Sequence, residues 1–296
     1  MHLLISNQSL NSFGDLVLLR DPRGRSMYRS LHPVQGQEGP GFAVTGSFSL
    51  HQVFAVEKEE GIAFVDATGD ANPIHRQGDV VSGAMTAARA VAGLEALFPA
   101  LGVTRLNIKF RAVAAYGRRM RQQLALSFRG YEGFEARLRI EQEGRDVAEG
   151  VIAGKIGGEI LRPNVGKWRV NKDELKRVEQ FFRALKIAPE LYLRAGGEPN
   201  FGYPRAFLAS LPSGEMVRRL SGEGGFLTNL DLTFPEGVAP GITGAGLPEV
   251  GLKPAKARPS FAKVLTWIKS GVEEYCKGFA LVFRPDVREP AGSAAG

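Results

Sequence analysis

The sequence predicts an α+β fold in which antiparallel strands follow a helix of small residues, and it predicts that this order occurs twice. Apolar residues recur at three- and four-residue steps over residues 84–98, and the period changes to two over residues 105–156. A weaker helix-then-strand order returns after residue 170. With 296 residues, of which 44% are hydrophobic, the chain is long enough for about two domains with buried cores.

The composition is that of a folded, globular chain. Charged residues make up 23% of it, which argues against the disordered and collagen-like classes. No apolar run approaches the ~20 residues that a bilayer requires, and the first residues lack the pattern of a signal peptide. The single cysteine, Cys276, has no partner for an internal disulfide and no neighbouring histidine. We therefore expect a cytoplasmic location, no membrane span and a structural role for this thiol.

Three parts of the chain are predicted. Residues 1–44 are an N-terminal extension, because glycine and proline punctuate them, with one strand at residues 16–20 that ends at a turn over residues 21–24. Residues 45–160 form the first half, and residues 161–296 form the second half. The second half ends in a flexible tail that begins at Pro285.

In the first half, a slim helix comes before four strands. The helix over residues 84–98 is rich in alanine and glycine, so other parts of the backbone can enclose it closely, and Pro99 stops it. Leu106, Ile108 and Phe110 share one face of the strand that follows. Turn signals at residues 116–117, 130–133 and 143–145 predict short hairpins and an antiparallel meander. The four strands are predicted at residues 105–111, 123–129, 134–140 and 147–156.

The second half repeats this order less clearly. Helices are predicted over residues 173–185 and 203–220, and Pro212 is expected to interrupt the second of these, because proline removes a backbone donor. A strand over residues 226–234 stands where the first strand stands in the first half. Residues 235–260 are predicted to be a long loop, because they are rich in proline and glycine. Two closing strands are predicted at residues 264–272 and 279–284.

The charges favour an anionic partner but not nucleic acid. The formal net charge is +7, and a local basic patch contains too few aromatic residues for a nucleic-acid platform. This patch is either a phosphate site or an ordinary solvated strand face. It is made up of Arg105, Lys109, Arg111, Arg118, Arg119 and Arg121.

Common catalytic and cofactor motifs are missing from the sequence. The four histidines do not have metal-ligand spacing, and there is no C-x-x-C pair. A phosphate-binding loop, a dinucleotide fingerprint and a serine nucleophile elbow are absent as well. We therefore predict neither a metal nor a cofactor.

The residues best suited to acid/base chemistry lie in the segment 64–75. Asp70 and His75 are five residues apart, and on a continuous helix they would point about 140° away from each other. Gly69 permits a tight turn, and Pro73 disfavours helical geometry at Asn72. A turn is therefore predicted to bring the carboxylate and the imidazole together. A plain surface turn at the end of a helix is the alternative.

This segment resembles the signature of a known family. Residues 67–75 read A-T-G-D-A-N-P-I-H, and the small-residue helix start V-V-S-G-A-M-T-A follows at residues 80–87. This string is similar to that of the MaoC-like (R)-specific enoyl-CoA hydratases and dehydratases, and the resemblance covers residues 45–155. It implies a double hot-dog fold, in which two antiparallel sheets each wrap a central helix and the second half is degenerate.

The resemblance also implies roles for particular residues. Asp70 and His75 would activate a water molecule that adds to an enoyl thioester and yields an (R)-3-hydroxyacyl thioester, with Asn72 orienting the loop or the water. Gly83 would offer an N–H group to the thioester oxygen, although close packing alone also accounts for this glycine. A structural hydrogen-bonded pair is the alternative for Asp70 and His75. Arg105, Lys109 and Arg111 would bind the phosphates of CoA or of an acyl carrier protein.

Two departures from the family pattern and one missing feature limit these implications. The connection over residues 76–79 is short, which reduces the pocket wall, and residues 115–118 replace the usual turn. The second half contains no Asp-x-x-x-x-His, so we predict that it is catalytically inert and that its interrupted helix widens the acyl groove. An inactive acyl-thioester-binding or assembly subunit is the alternative function, and a thioesterase is a more distant one. Either a monomer or a homodimer fits two fused halves.

Overall fold

The computed structural model describes most of the chain between residues 16 and 283. Within the described ranges there are six helices and thirteen strands. No helix in these ranges is long and apolar enough to cross a bilayer. The described ranges are residues 16–20, 26–30, 47–70, 72–97, 101–129, 133–156, 170–193, 202–219, 225–235, 241–242, 248–258, 260–270 and 273–283.

Helices and strands follow the predicted order closely. The helices are α1 (Lys58–Thr68), α2 (Pro73–Arg76), α3 (Gly83–Leu97), α4 (Lys172–Ala184), α5 (Pro189–Leu193) and α6 (Arg205–Arg219). The strands are β1 (Leu16–Arg20), β2 (Ser26–Ser30), β3 (Ser47–Phe54), β4 (Val80–Val81), β5 (Leu101–Phe110), β6 (Ala114–Ala115), β7 (Met120–Arg129), β8 (Gly133–Gln142), β9 (Arg145–Ile156), β10 (Phe226–Thr233), β11 (Glu249–Arg258), β12 (Phe261–Ser270) and β13 (Glu273–Phe283).

Strands of both halves form one antiparallel sheet rather than two. Its nine strands run in the order β11-β12-β13-β10-β5-β9-β8-β7-β3. The halves meet where β10 pairs with β5, with Leu230 opposite Ile108. Both side chains are buried, so the junction belongs to the core. The prediction of two antiparallel sheets, each around one helix, is corrected to one continuous sheet, because the pairing of β10 with β5 removes an exposed sheet edge from each half.

The predicted repeat is present in the topology. In each half, the strand that follows the long helix lies at the centre of the sheet, and the last strand of that half is its neighbour. The remaining long strands lie further out in the reverse of their chain order, β8 and then β7 in the first half, β12 and then β11 in the second. Among the described residues, β3 has no counterpart in the second half.

The predicted meander of the first half needs one correction. β5 pairs with β9 and not with β7, so the turn at residues 116–117 does not close a hairpin between β5 and β7. The connecting residues instead form β6, which pairs with β4 beside the motif segment. The cause is tertiary, because the other edge of β5 is taken by β10.

Two predictions about proline in the second half were wrong. Part of the predicted loop at residues 235–260 is the strand β11, which tolerates Pro254 because it lies at the edge of the sheet and has a register irregularity there. α6 runs without interruption through Pro212. Proline removes only one backbone hydrogen bond, and most of α6 is buried, including its contact with α3.

The small-residue helix α3 is enclosed as predicted. Its alanines are buried on all sides, and it contacts β5, β9, β10 and α6. Leu106 and Ile108 face the core from β5, and Phe110 is partly buried against it. Because alanine side chains are short, the sheet and α6 can both approach the backbone of α3.

The N-terminal extension contains the predicted strand. β1 pairs with β2 in a two-stranded antiparallel sheet, separate from the nine-stranded one. The turn predicted between these strands and the tail after Pro285 lie outside the described residues, as does the boundary near residue 160.

A buried carboxylate joins α3 to α6. Glu95, near the end of α3, accepts hydrogen bonds from the N–H groups of Arg205 and Ala206 at 2.7 and 3.0 Å. These groups open α6 and have no partner within their own helix. Burial raises the pKa of Glu95 to about 7, against the opposing effect of the two N–H groups.

We expect this glutamate to make stability depend on pH. In the unfolded chain the carboxyl ionises near its ordinary value of 4.5, well below its pKa of about 7 in the fold. The free energy of unfolding therefore falls as pH rises between these values, by roughly 3 kcal/mol at 1.36 kcal/mol for each tenfold change in the ionisation constant. Urea unfolding of wild type and Glu95→Gln should show wild type losing stability relative to the variant from about pH 4.5 to about pH 7.

Glu249→Gln is the matched control, because this glutamate is 75% exposed on the edge strand β11. Its stability relative to wild type should change little over the same pH range. A constant difference between wild type and Glu95→Gln would contradict the prediction.

Candidate active site

The motif segment forms the end of α1, a tight turn and the start of α2. Gly69 ends α1 in the left-handed conformation, with φ 73°, and the N–H of Asp70 bonds back to the carbonyl of Val65 at 2.9 Å. Asn72 is extended, with ψ 115°, and caps α2, in which Pro73 is the first residue. The predicted turn is therefore present, and glycine and proline occupy the positions that suit them.

Asn72 holds this turn with both ends of its side chain. Its Oδ1 accepts from the N–H of Ile74 at 3.3 Å, which is the capping bond. Its Nδ2 donates to the carbonyl of Gly225 in the second half, at 3.0 Å. The side chain thus ties the turn to the residue before β10.

Asp70 and His75 converge. Nε2 of His75 lies 3.9 Å from Oδ2 of Asp70, and the two residues are 7% and 1% exposed. Nδ1 of His75 lies 3.0 Å from the carbonyl of Val80, which can only accept, so we assign the ring proton to Nδ1. In neutral His75 the lone pair of Nε2 therefore faces the carboxylate.

The Asp70 carboxylate accepts hydrogen bonds from both halves. The N–H of Asn72 donates to Oδ1 at 3.1 Å, and the hydroxyl of Ser213 in α6 donates to Oδ2 at 2.8 Å. Ser82 contributes a longer contact to Oδ2, at 3.4 Å. A buried carboxylate needs such donors, because burial without them is costly.

A cavity of about 290 Å³ opens beside this pair, between the two halves. His75 lines it directly, whereas Asp70 lies one layer behind. Most of the other walls are apolar. The first half contributes Asn72, His75, Ser82, Gly83 and Phe110, among others, and the second half contributes Ser213, Met216, Val217, Gly225, Phe226 and Val282, among others.

The N-terminus of α3 borders the same cavity. The N–H groups of Met85 and Thr86 bond to the carbonyl of Ser82. Those of Gly83 and Ala84 belong to the first turn, where N–H groups have no partner within a helix. A Cβ atom at Gly83 would lie 3.2 Å from the ring of Phe110, so close packing also favours glycine here. Both interpretations of Gly83 therefore fit.

The predicted phosphate-binding residues are not brought together. Arg111 lines the cavity, but its Nε donates to Glu149 at 3.0 Å. Arg105 lies 3.6 Å from Asp231, and neither Arg105 nor Lys109 lines the cavity. The patch contains no acid in sequence, but neighbouring strands supply acids in the fold. A sequence pattern along one strand cannot reveal this pairing.

Several residues that support the turn were not expected from the sequence. Arg177 of α4 donates twice to the carbonyl of Ala67, from Nε at 3.2 Å and from Nη2 at 3.0 Å. Tyr116 donates its hydroxyl to the carbonyl of His75 at 2.9 Å, and burial raises its pKa to about 12. In sequence, Ser213 follows Pro212, the residue predicted to interrupt this helix, and nothing nearby marks it as a partner of Asp70. Contacts between residues far apart in the chain, such as these, leave no pattern in the local sequence.

The part of the chain that the structure describes holds no group of three or more histidine, cysteine or acidic side chains that could bind a metal.

No protein-family model matches this sequence, and neither does any curated protein. Solved structures do match. One is a MaoC-like dehydratase with TM-score 0.58 and 12% identity, covering 81% of this chain and 98% of that one. A MaoC-like dehydratase from Phytophthora capsici has TM-score 0.53 and 9% identity, with coverage of 82% and 97%. Peroxisomal multifunctional enzyme type 2 from Drosophila melanogaster has TM-score 0.53 and 12% identity, with coverage of 80% and 48%.

These similarities give the class of fold. The chain has the hot-dog fold of the MaoC-like dehydratases, in which an antiparallel sheet wraps a central helix. The resemblance read from residues 67–87 is confirmed at the level of the fold. At such low identities, the activity has to be argued from the site.

We expect close packing between α6 and the motif turn to be visible in stability. A Cβ atom on Gly214 would lie 2.3 Å from the carbonyl oxygen of Gly69, and backbone cannot move aside cheaply. Gly214→Ala should therefore lower the free energy of unfolding by roughly 1–3 kcal/mol, measured by urea unfolding.

Gly93→Ala is the matched control, because Gly93 lies inside α3 with open space around its Cβ position. Alanine should stabilise the helix there by up to about 1 kcal/mol. Equal stability of Gly214→Ala and wild type would show that α6 does not pack this closely against the turn.

Proposed function

We propose that this chain is a hydratase or dehydratase that interconverts an enoyl thioester and an (R)-3-hydroxyacyl thioester. The observation that carries the proposal is the convergence of two buried side chains, Asp70 and His75, 3.9 Å apart, of which His75 lines an apolar cavity and Asp70 lies directly behind it. The fold, which it shares with MaoC-like dehydratases, supports the same class of reaction.

The pair suits activation of one water molecule. Nε2 of His75 and Oδ2 of Asp70 are both acceptors when the imidazole is neutral and the carboxylate is ionised. Two acceptors at this distance can each take a hydrogen bond from the same water, which leaves an oxygen lone pair free to attack. A positioned acid/base group of this kind contributes about 10²–10⁴-fold to rate.

Hydration forms a bond from the water oxygen to the β carbon of the enoyl thioester. The Asp70–His75 pair takes one proton from the water and returns one to the α carbon on the same face. Dehydration is the reverse, since a catalyst accelerates both directions. Negative charge develops on the thioester oxygen, and the first turn of α3 at Gly83 offers an N–H group and the positive end of a 15-residue helix.

The cavity fits an acyl chain better than a polar substrate. Val80, Met216, Val217 and Phe226 belong to its lining and come from both halves. Arg111 at the rim is the basic residue best placed to approach a phosphate of CoA or of an acyl carrier protein, although it would have to leave Glu149. Arg105 and Lys109 could contact such a phosphate only if the bound CoA or carrier arm extended along the sheet, beyond the cavity.

The architecture proposed with this function is a double hot-dog. The two helix-and-strand units of the sheet support it, with an extension at residues 1–44 and halves at residues 45–160 and 161–296. The second half is degenerate in the sense that its sequence contains no histidine, so it supplies no second acid/base pair. A cytoplasmic location and a homodimer stay predictions.

Replacement of either member of the pair should abolish hydration. We expect Asp70→Asn and His75→Gln each to lower kcat/KM for crotonyl-CoA by at least about 100-fold, because each removes a proton acceptor. The reaction is followed by the loss of absorbance of the conjugated thioester, and chiral chromatography of the product should give the (R) alcohol. Asp146→Asn changes a half-buried carboxylate on β9 that pairs with Arg139, remote from the cavity lining, and should leave the rate unchanged.

Other outcomes identify other functions. Equal rates for Asp70→Asn and wild type would contradict the proposal. Release of free CoA without a hydroxyacyl product would indicate a thioesterase. Saturable binding of acyl thioesters by wild type, with no turnover for any chain length, would indicate a binding or assembly subunit.

A further inference from the structure

Among the described residues of the second half, Ser213 is the one whose side chain hydrogen-bonds to the carboxylate of Asp70. Its hydroxyl donates to Oδ2 at 2.8 Å, which is shorter than the contact from Ser82 to the same oxygen at 3.4 Å. The other oxygen, Oδ1, accepts from the N–H of Asn72 at 3.1 Å. Two strong donors thus act on different oxygens of one carboxylate, one donor from each half.

A second serine on α6 shows the hydrogen bond that a serine hydroxyl ordinarily makes within a helix. Ser210 donates back to the carbonyl of Ala206 at 2.8 Å, four residues earlier in the same helix. This is the usual local bond of a serine within a helix. Ser213 bonds instead to a residue 143 positions away in the chain. The partner that orients the Ser213 hydroxyl is therefore the carboxylate.

The backbone around Ser213 is packed so that the contact is held. Gly214 lets α6 approach the motif turn, since a Cβ atom there would lie 2.3 Å from the oxygen of Gly69. The same turn is tied to the second half by Asn72, which donates to Gly225 at 3.0 Å. These two contacts lie on either side of the hydrogen bond between Ser213 and Asp70, so they hold α6 and the motif turn at the distance that this bond requires.

We propose that Ser213 is a positioning residue, by which the second half fixes the orientation of the Asp70 carboxylate for the reaction. The inference rests on the proposed function. With Oδ1 held by Asn72 and Oδ2 held by Ser213, the carboxylate cannot rotate about its Cβ–Cγ bond, and Oδ2 stays directed toward the imidazole of His75. The half without an acid/base pair of its own therefore completes the site of the other half.

Removal of the hydroxyl should lower turnover without weakening binding. We expect Ser213→Ala to reduce kcat for crotonyl-CoA by about tenfold to hundredfold, as the loss of a hydrogen bond to a charged group implies. KM should stay within about threefold, because the acyl chain keeps its apolar walls. Ser213→Thr carries a hydroxyl on the same carbon and should recover most of the lost kcat.

Ser210→Ala is the matched control, because it removes a buried hydroxyl from the same helix without touching the carboxylate. Its kcat should equal that of wild type. Thermal unfolding of all the variants separates a loss of positioning from a loss of fold, since the positioning role predicts a fall in kcat without a matching fall in Tm.

The outcomes distinguish this inference from the proposed function. If Asp70→Asn is inactive and Ser213→Ala keeps the wild-type kcat, the inference fails and the proposed function stands. A raised KM with unchanged kcat in Ser213→Ala would make Ser213 a substrate contact and contradict the inference. A Ser213→Thr variant as slow as Ser213→Ala would also contradict it, because the hydroxyl would then not be the group that positions Asp70. Absence of turnover by wild type, or full activity in Asp70→Asn, overturns both.

Discussion

Burial of the Asp70 carboxylate is tolerated only because hydrogen-bond donors replace the water that it has lost, and these donors come from two halves of the chain. The N–H of Asn72 acts from one side and the hydroxyl of Ser213 from the other. Both depend on the turn that begins at Gly69 in the left-handed conformation. The helix start at Pro73 then directs His75 back toward the carboxylate, so the geometry of the whole site follows from this one bend.

The helix α3 links the site to the frame of the molecule. Its first turn lies beside the cavity, and its last turn carries Glu95, which receives the N–H groups at the start of α6. At 1.5 Å per residue these two points are about 20 Å apart. Because the helix is built of alanine, α6 can lie along it closely enough to make both contacts, one at Glu95 and one at Asp70 through Ser213.

The two halves share one strand order but contribute different parts of the site. Each places the strand that follows its long helix at the centre of the sheet, and the pairing of β5 with β10 joins them into one core. In the second half, however, α6 carries a serine and a glycine at the point of closest approach, where they meet the turn of the first half. The second half thus supplies one wall of the cavity and a support for the turn, while Asp70 and His75 lie in the first half.

The local elements and the motif turn could be predicted from patterns within the sequence. Periodicity fixed α3, β7, β8 and β9 to within a few residues, and glycine and proline marked the turn between Asp70 and His75, because these properties depend on neighbours in the chain. Other features appear only in the folded chain. The strand β5 pairs with β10, and α6 continues through Pro212. Acidic side chains pair with Arg105 and Arg111, and Ser213 hydrogen-bonds to Asp70. Each of these joins residues far apart in sequence, and a local pattern carries no information about which distant surface will cover it.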